Sequence, residues 1–126
     1  MTMTEPYILI IDDDDTLLAI VDSILQKHGY ATAIAKNAEE GFNLIESCLP
    51  QLILLDIKLP KPDGYEVLLK LKDDKKTKAV PVIMLTSKND IGSVSHCLED
   101  GAHDYIVKPF DYNNFIARIR KVVEVD

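Results

Sequence analysis

Five times along this chain a short, unbroken apolar run gives way to a longer segment with apolar residues at helical spacing. The runs are Tyr7 to Ile11, Tyr30 to Ala35 (the weakest), Leu52 to Leu55, Val80 to Leu85 and Tyr105 to Val107. A strand with one wet face alternates polar and apolar residues; an unbroken run fits a strand covered on both faces. Between and after the runs come Leu17, Leu18, Val21, Ile24, Leu25 and His28, ended by Gly29, and then Ala38, Phe42, Ile45 and Leu49 between Asn37, a plausible N-cap, and Pro50. Val67, Leu68 and Leu71 follow a loop over Pro60 to Gly64. Ile91, Val94 and Leu98 lie on a helix expected from about Asn89 to Gly101. Phe115, Ile116, Ile119, Val122 and Val123 lie on one expected from about Asp111 to near Val125. Five βα units with right-handed crossovers predict an α/β fold, a doubly wound, five-stranded parallel sheet with five helices. The units use up the chain, so residues 1–126 are read as a single domain.

The chain is 47% apolar and 28% charged, which suits a globular domain, and its net charge is -7. That balance argues against direct nucleic acid binding and against an anionic membrane surface, both of which favour a basic protein. The apolar runs are far too short to span a bilayer. Met1 to Pro6 is polar and carries no secretory signal. Cys48 and Cys97 have no metal-ligand spacing and read as reduced packing cysteines in a cytoplasmic protein.

Strands of a parallel sheet finish on one edge, and ligands bind there. Asp12, Asp13, Asp14 and Asp15 follow the first run, Asp56 the third, Thr86 and Ser87 the fourth, and Lys108 and Pro109 the fifth. Helix capping accounts for Asp14 or Asp15. It does not account for Asp12 and Asp13 at the strand end, nor for Asp56, which precedes Ile57, Lys58 and Leu59 rather than a helix. Two carboxylates about 4 Å apart repel by roughly 4 kcal/mol at an effective dielectric near 20. One lysine cannot balance three acids, so a hard divalent cation is implied, most simply Mg²⁺. Carboxylates, metal, hydroxyl and ammonium together suit phosphoryl transfer.

The motifs Ile10-Ile11-Asp12-Asp13-Asp14, Leu54-Leu55-Asp56 with Leu59-Pro60 and Asp63-Gly64, Met84-Leu85-Thr86-Ser87, and Gly101-Ala102 with Asp104-Tyr105 and Lys108-Pro109-Phe110 resemble the receiver domain of two-component response regulators. The resemblance covers essentially the whole chain. It implies a flavodoxin-like sheet of order 2-1-3-4-5. It also implies an aspartyl phosphate on Asp56, formed by transfer from a sensor histidine kinase or a histidine phosphotransfer protein. Asp13 and Asp56 would ligate Mg²⁺ directly, Asp12 through water and Lys58 through its backbone carbonyl. Lys108 and Thr86 would contact the phosphoryl oxygens, the Lys108-Pro109 bond would be cis, and Tyr105 would be the switch aromatic responding to Thr86. Such a domain is a signalling phosphoacceptor or phosphorelay component rather than an enzyme. It signals to a downstream protein or output domain that the sequence does not name, through the helix 4, strand 5 and helix 5 face. In one receiver subfamily that face forms a homodimer. Asp104 and Arg118 match an ion pair used there, whereas His103 and Asn114 stand where acids are usual. Lys58 and Lys88, two residues after Asp56 and Thr86, flank the approach of water and imply a long-lived phosphate.

Asp12-Asp13-Asp14-Asp15-Thr16 also fits D-x-D-x-T and resembles the nucleophile motif of haloacid-dehalogenase-type phosphatases, with Asp12 as nucleophile. That alternative leaves Asp56 without a role and finds no paired acids after Lys108. The glycines at 29, 41, 64, 92 and 101 form no phosphate-cradling cluster. His28, His96 and His103 read as structural or surface residues. Asp63-Gly64 reads as a turn.

Overall fold

A computed structural model describes residues 6–124. The polar segment at the start of the chain, up to residue 5, and Val125 itself therefore lie outside the described residues. In order, the elements are β1 (Ile8–Ile11), α1 (Asp15–Lys27), β2 (Thr32–Ala35), α2 (Ala38–Ser47), β3 (Leu52–Asp56), α3 (Gly64–Asp73), β4 (Val82–Ser87), a 3-10 segment (Lys88–Ser93), α4 (Val94–Glu99), β5 (Asp104–Lys108) and α5 (Tyr112–Val122). The strands are parallel in the order β2-β1-β3-β4-β5, as expected.

Successive side chains of a strand point to opposite faces, and both faces are buried here. Leu9, Ile11, Ile53, Leu55, Val82 and Met84 share one core with Val67, Leu68 and Leu71 of α3 and with Val94 and Cys97 of α4. Ile8, Ile10, Leu52, Leu54, Ile83 and Leu85 share the other with Leu18, Val21 and Leu25 of α1 and Phe115, Ile116 and Ile119 of α5. This is why the strands read as unbroken apolar runs.

Helix starts follow side-chain chemistry. Asp14 caps α1 by accepting from the Thr16 and Leu17 amides, and Asn37 caps α2 by accepting from the Glu40 amide. Asp63 and Glu66 form a reciprocal capping box at α3. Asp63-Gly64 is thus a helix start rather than a free turn. After α1, Gly29 has φ 90°, the left-handed region where a side chain would be strained.

Three expectations need correction. The helix expected from Asn89 begins at Val94; the residues before it form a 3-10 segment, and Ile91 and Leu98 are exposed while Cys97 packs inward. Leu49 lies beyond α2 and is exposed. The last helix stops at Val122, short of the expected end.

Candidate functional site

The parallel register sets the site. Ile11 lies opposite Leu55, so Asp12 follows β1 beside the end of β3, where Asp56 is the last residue. Ser87 and Lys108, the last residues of β4 and β5, are register partners. Thr86 and Ser87 belong to β4 itself, and Lys108 to β5.

Carboxylate oxygens of Asp12, Asp13 and Asp56 all lie within 4.8 Å of one another. Asp12 is fully buried, Asp56 is 4% exposed, and Asp13 faces solvent. The Lys108 ammonium pairs with two of them, its Nζ 2.8 Å from Asp12 Oδ2 and 3.4 Å from Asp56 Oδ1. The Asp14 amide donates to Asp12 Oδ1 at 2.9 Å, and the Lys58 amide donates to Asp56 Oδ1 at 3.1 Å. Burial, and then the neighbouring Asp12 charge, push the Asp56 carboxyl above the usual carboxylate range against the pull of Lys108. Burial disfavours the Lys108 charge, but its bonds and attraction to Asp12 and Asp56 together outweigh that and raise it. Two buried acids share one ammonium, with Asp13 beside them, and the strain falls on Asp56. This donor set of clustered carboxylate oxygens fits a hard divalent cation.

The remaining predicted residues lie on β4, on β5 and in the segments that follow β3 and β4. Thr86 is 1% exposed, and its hydroxyl donates to the Ser87 carbonyl at 3.1 Å. The Lys108–Pro109 bond is cis, as the resemblance implied, and so is Lys61–Pro62, which was not expected. Tyr105 is half-buried against the α3–α4 core, with the Arg118 guanidinium 5.6 Å from its ring centroid. Lys58 and Lys88 are exposed. The Lys58 ammonium is turned to Asp90, 3.3 Å from Oδ1. Asp90 was not singled out in the sequence, although Ser87-Lys88-Asn89-Asp90 fits the S-x-x-D pattern of a helix start.

Asp15, the first residue of α1, pairs with Lys36 at 2.9 Å, away from the cluster. His28 bonds the Tyr112 hydroxyl at 2.6 Å and Arg120 at 3.2 Å, and His96 and His103 are exposed, in keeping with structural or surface roles. Beside Lys108 an apolar groove of about 530 Å³ is lined by Leu17, Ile20, Ile24, Pro109, Phe110 and Tyr112. The geometry disfavours Asp12 as a nucleophile, since it is fully buried with one oxygen bonded to the Asp14 amide and the other to Lys108.

Comparison with known proteins points the same way. The family model of the response regulator receiver domain matches residues 8–120. The DNA-binding dual master transcriptional regulator RpaA of Synechocystis sp. is 39% identical over 118 residues, which are 94% of this chain and 49% of that protein. The chain spans about half the length of the curated relatives it matches. The crystal structure of the receiver domain of NtrX from Brucella abortus superposes with a TM-score of 0.87 at 30% identity, covering 94% of this chain and 99% of that one. The chemotaxis protein CheY4 of Vibrio cholerae shares the fold, with a TM-score of 0.87 at 22% identity over 95% of this chain and 100% of that one.

Proposed function

This chain belongs to the response regulator receiver family of two-component signalling, and on that premise we propose that Asp56 is its phosphoacceptor. The carrying observation is the convergence of Asp12, Asp13 and Asp56 within 4.8 Å of one another, with the Lys108 ammonium paired to Asp12 and Asp56. The phosphatase alternative is not favoured by the family or by the burial of Asp12.

In this reading Asp56 attacks the phosphorus of a phosphohistidine or a small acyl phosphate. The new bond joins phosphorus to the Asp56 carboxyl. The bond to the donor nitrogen or oxygen breaks, and the electron pair leaves with the donor. Attack is assigned to Oδ2, because the Lys58 amide and the Lys108 ammonium both address Oδ1. Lys108 turns its point charge to a phosphoryl oxygen. Thr86 gives up its bond to the Ser87 carbonyl and donates to another. Asp13 and Asp56, Asp12 through water, and the Lys58 carbonyl would hold Mg²⁺, which supplies positive charge against the crowded oxygens. Movement of Thr86 is read out by Tyr105 on the face made by α4, β5 and α5.

Residues 1–126 are taken as one receiver unit that acts as a phosphoacceptor on its own side chain rather than on a separate substrate. The donor is a sensor histidine kinase or a histidine phosphotransfer protein in the cytoplasm. The apolar groove at Ile20, Ile24 and Phe110 opens beside Lys108 and suits a donor helix delivering its imidazole there. DNA binding is a property of the longer relatives; this chain's net charge of -7 favours output through a protein contact.

Incubation with a small acyl phosphate and Mg²⁺ is expected to give acid-labile phosphate, and Asp56→Asn is expected to give none. Labelling of Asp56→Asn at the wild-type level would overturn the assignment.

A further inference from the structure

The loops after β3 and β4 are tied across the mouth of the site by one side chain. Asp90, in the 3-10 segment, accepts from the Ser87 hydroxyl at 2.8 Å on Oδ2 and faces the Lys58 ammonium at 3.3 Å on Oδ1. Both partners are next to site residues. Ser87 follows Thr86, and Lys58 gives its amide to Asp56 while its side chain reaches away to Asp90. The Asp90 carboxylate is the less exposed partner, at 18% against 70% for Lys58. The Ser87 hydroxyl holds its carboxyl below the usual range, with Lys58 and then Lys108 adding to that against partial burial.

We propose that Asp90 is a positioning residue that holds the Lys58 ammonium off the phosphoryl site and so shortens the lifetime of the aspartyl phosphate. The inference rests on Asp56 being the phosphoacceptor.

Hydrolysis forms a bond between a water oxygen and phosphorus and breaks the bond from phosphorus to the Asp56 oxygen. The carboxylate returns with the electron pair, and the water's two protons leave on inorganic phosphate as its dihydrogen form. The water must approach in line, from the open face. A lysine released from Asp90 is drawn to a phosphoryl group carrying about two negative charges. There its ammonium and long stem occupy the approach. A lysine held by Asp90 leaves the approach clear. Two anions thus compete for one cation, and the fixed one is oriented by Ser87. Because Lys58 is largely exposed, the pair shifts its populations only a fewfold. The effect on lifetime is correspondingly modest. Lys88 has no part in this tie.

The test is the decay of acid-labile phosphate after removal of the acyl phosphate donor, in Mg²⁺. Wild type, Asp90→Asn, Asp90→Glu, Lys58→Met and the double variant Asp90→Asn/Lys58→Met are compared. Asp90→Asn is expected to decay about two- to fivefold more slowly than wild type. Asp90→Glu, which keeps the charge, is expected to restore most of the wild-type rate. In the Lys58→Met background, Asp90→Asn is expected to change nothing, since the cation it releases is gone. An Asp90→Asn rate equal to or above wild type would overturn the proposal, as would slowing that persists in the Lys58→Met background. Absence of any acid-labile phosphate on wild type would instead defeat the Asp56 assignment, and this inference with it.

Discussion

Tyr7 is 1% exposed, and its hydroxyl donates to the Cys48 carbonyl at 2.6 Å, tying the start of β1 to the end of α2. Burial, with a smaller contribution from Cys48, pushes the phenol up to about 12. The folded chain therefore holds this proton more tightly than the unfolded chain, whose phenol titrates near the ordinary value of about 10. The stability it contributes is complete below about pH 10 and is lost as pH rises through about 12. Tyr7→Phe is expected to cost about 1–2 kcal/mol at neutral pH, because it strands the carbonyl, and to lose less stability than wild type above about pH 10. Urea unfolding at neutral and alkaline pH checks both, and identical alkaline losses in the two proteins would count against it. Gly64 is constrained by space instead. A Cβ there would lie 2.1 Å from the Asp56 carbonyl oxygen and 2.7 Å from the Ile57 Cα, both backbone atoms. Gly64→Ala is expected to cost at least about 1–3 kcal/mol and to displace the end of β3 that carries Asp56, lowering both melting temperature and phosphorylation. A variant with wild-type values of both would refute the account.

At the scale of elements, sequence patterning was most informative where burial is symmetrical. The β1, β3 and β4 runs are legible because both their faces are covered, and the capped starts of α1 and α2 because Asp14 and Asn37 have the right chemistry. Patterning was weakest at α4. Ile91 and Leu98 have helical spacing, but the residues after β4 follow the Ser87–Asp90 bond into a 3-10 segment, and only Val94 and Cys97 of the short helix are buried. Arg118 on α5 illustrates another limit. Its match to an inter-chain ion pair was visible in the sequence. In the fold it binds Asp104 of its own chain at 2.7 Å and the Tyr105 carbonyl at 2.9 Å. A symmetric dimer using that pair must first release it. The unmodified chain is therefore expected to sediment as a monomer. If phosphorylation supplies the exchange, a phosphoryl mimic is expected to give dimer in wild type and not in Arg118→Ala. Equal dimerisation of both would show that the face does not use this pair.

For the whole molecule, the site is assembled from strand ends that are remote in sequence, Asp12 and Lys108 being 96 residues apart. Alternation of runs and helices was enough to bring those ends to one edge, so Asp12, Asp13, Asp56, Thr86 and Lys108 were all legible as neighbours. What was not legible was which charges pair. The turn of Lys58 toward Asp90 depends on loop geometry that carries no periodic signal. The balance at the edge has a consequence for global stability. Asp56 is raised above its ordinary range, so the folded chain binds its proton more tightly than the unfolded chain does. A carboxyl shifted this way favours the folded state below its unfolded pKa, and that advantage disappears as pH rises through the folded value. The ionised form of Asp56 is thus a net cost to the fold, and Lys108 offsets only part of it. Asp56→Asn removes the charge and keeps the shape. Without divalent cation it is expected to stabilise the protein by about 1 kcal/mol, on the order of 3–5 °C in melting temperature for a domain of this size. On the proposed assignment Mg²⁺ would bind the folded cluster, so it is expected to raise the melting temperature of wild type with concentration and to do so much less for Asp56→Asn, narrowing or reversing the gap. Thermal melts of both proteins in chelator and across a Mg²⁺ titration make the comparison. A less stable Asp56→Asn in chelator, or parallel shifts with Mg²⁺, would show that the carboxylate cluster is neither strained nor the cation site.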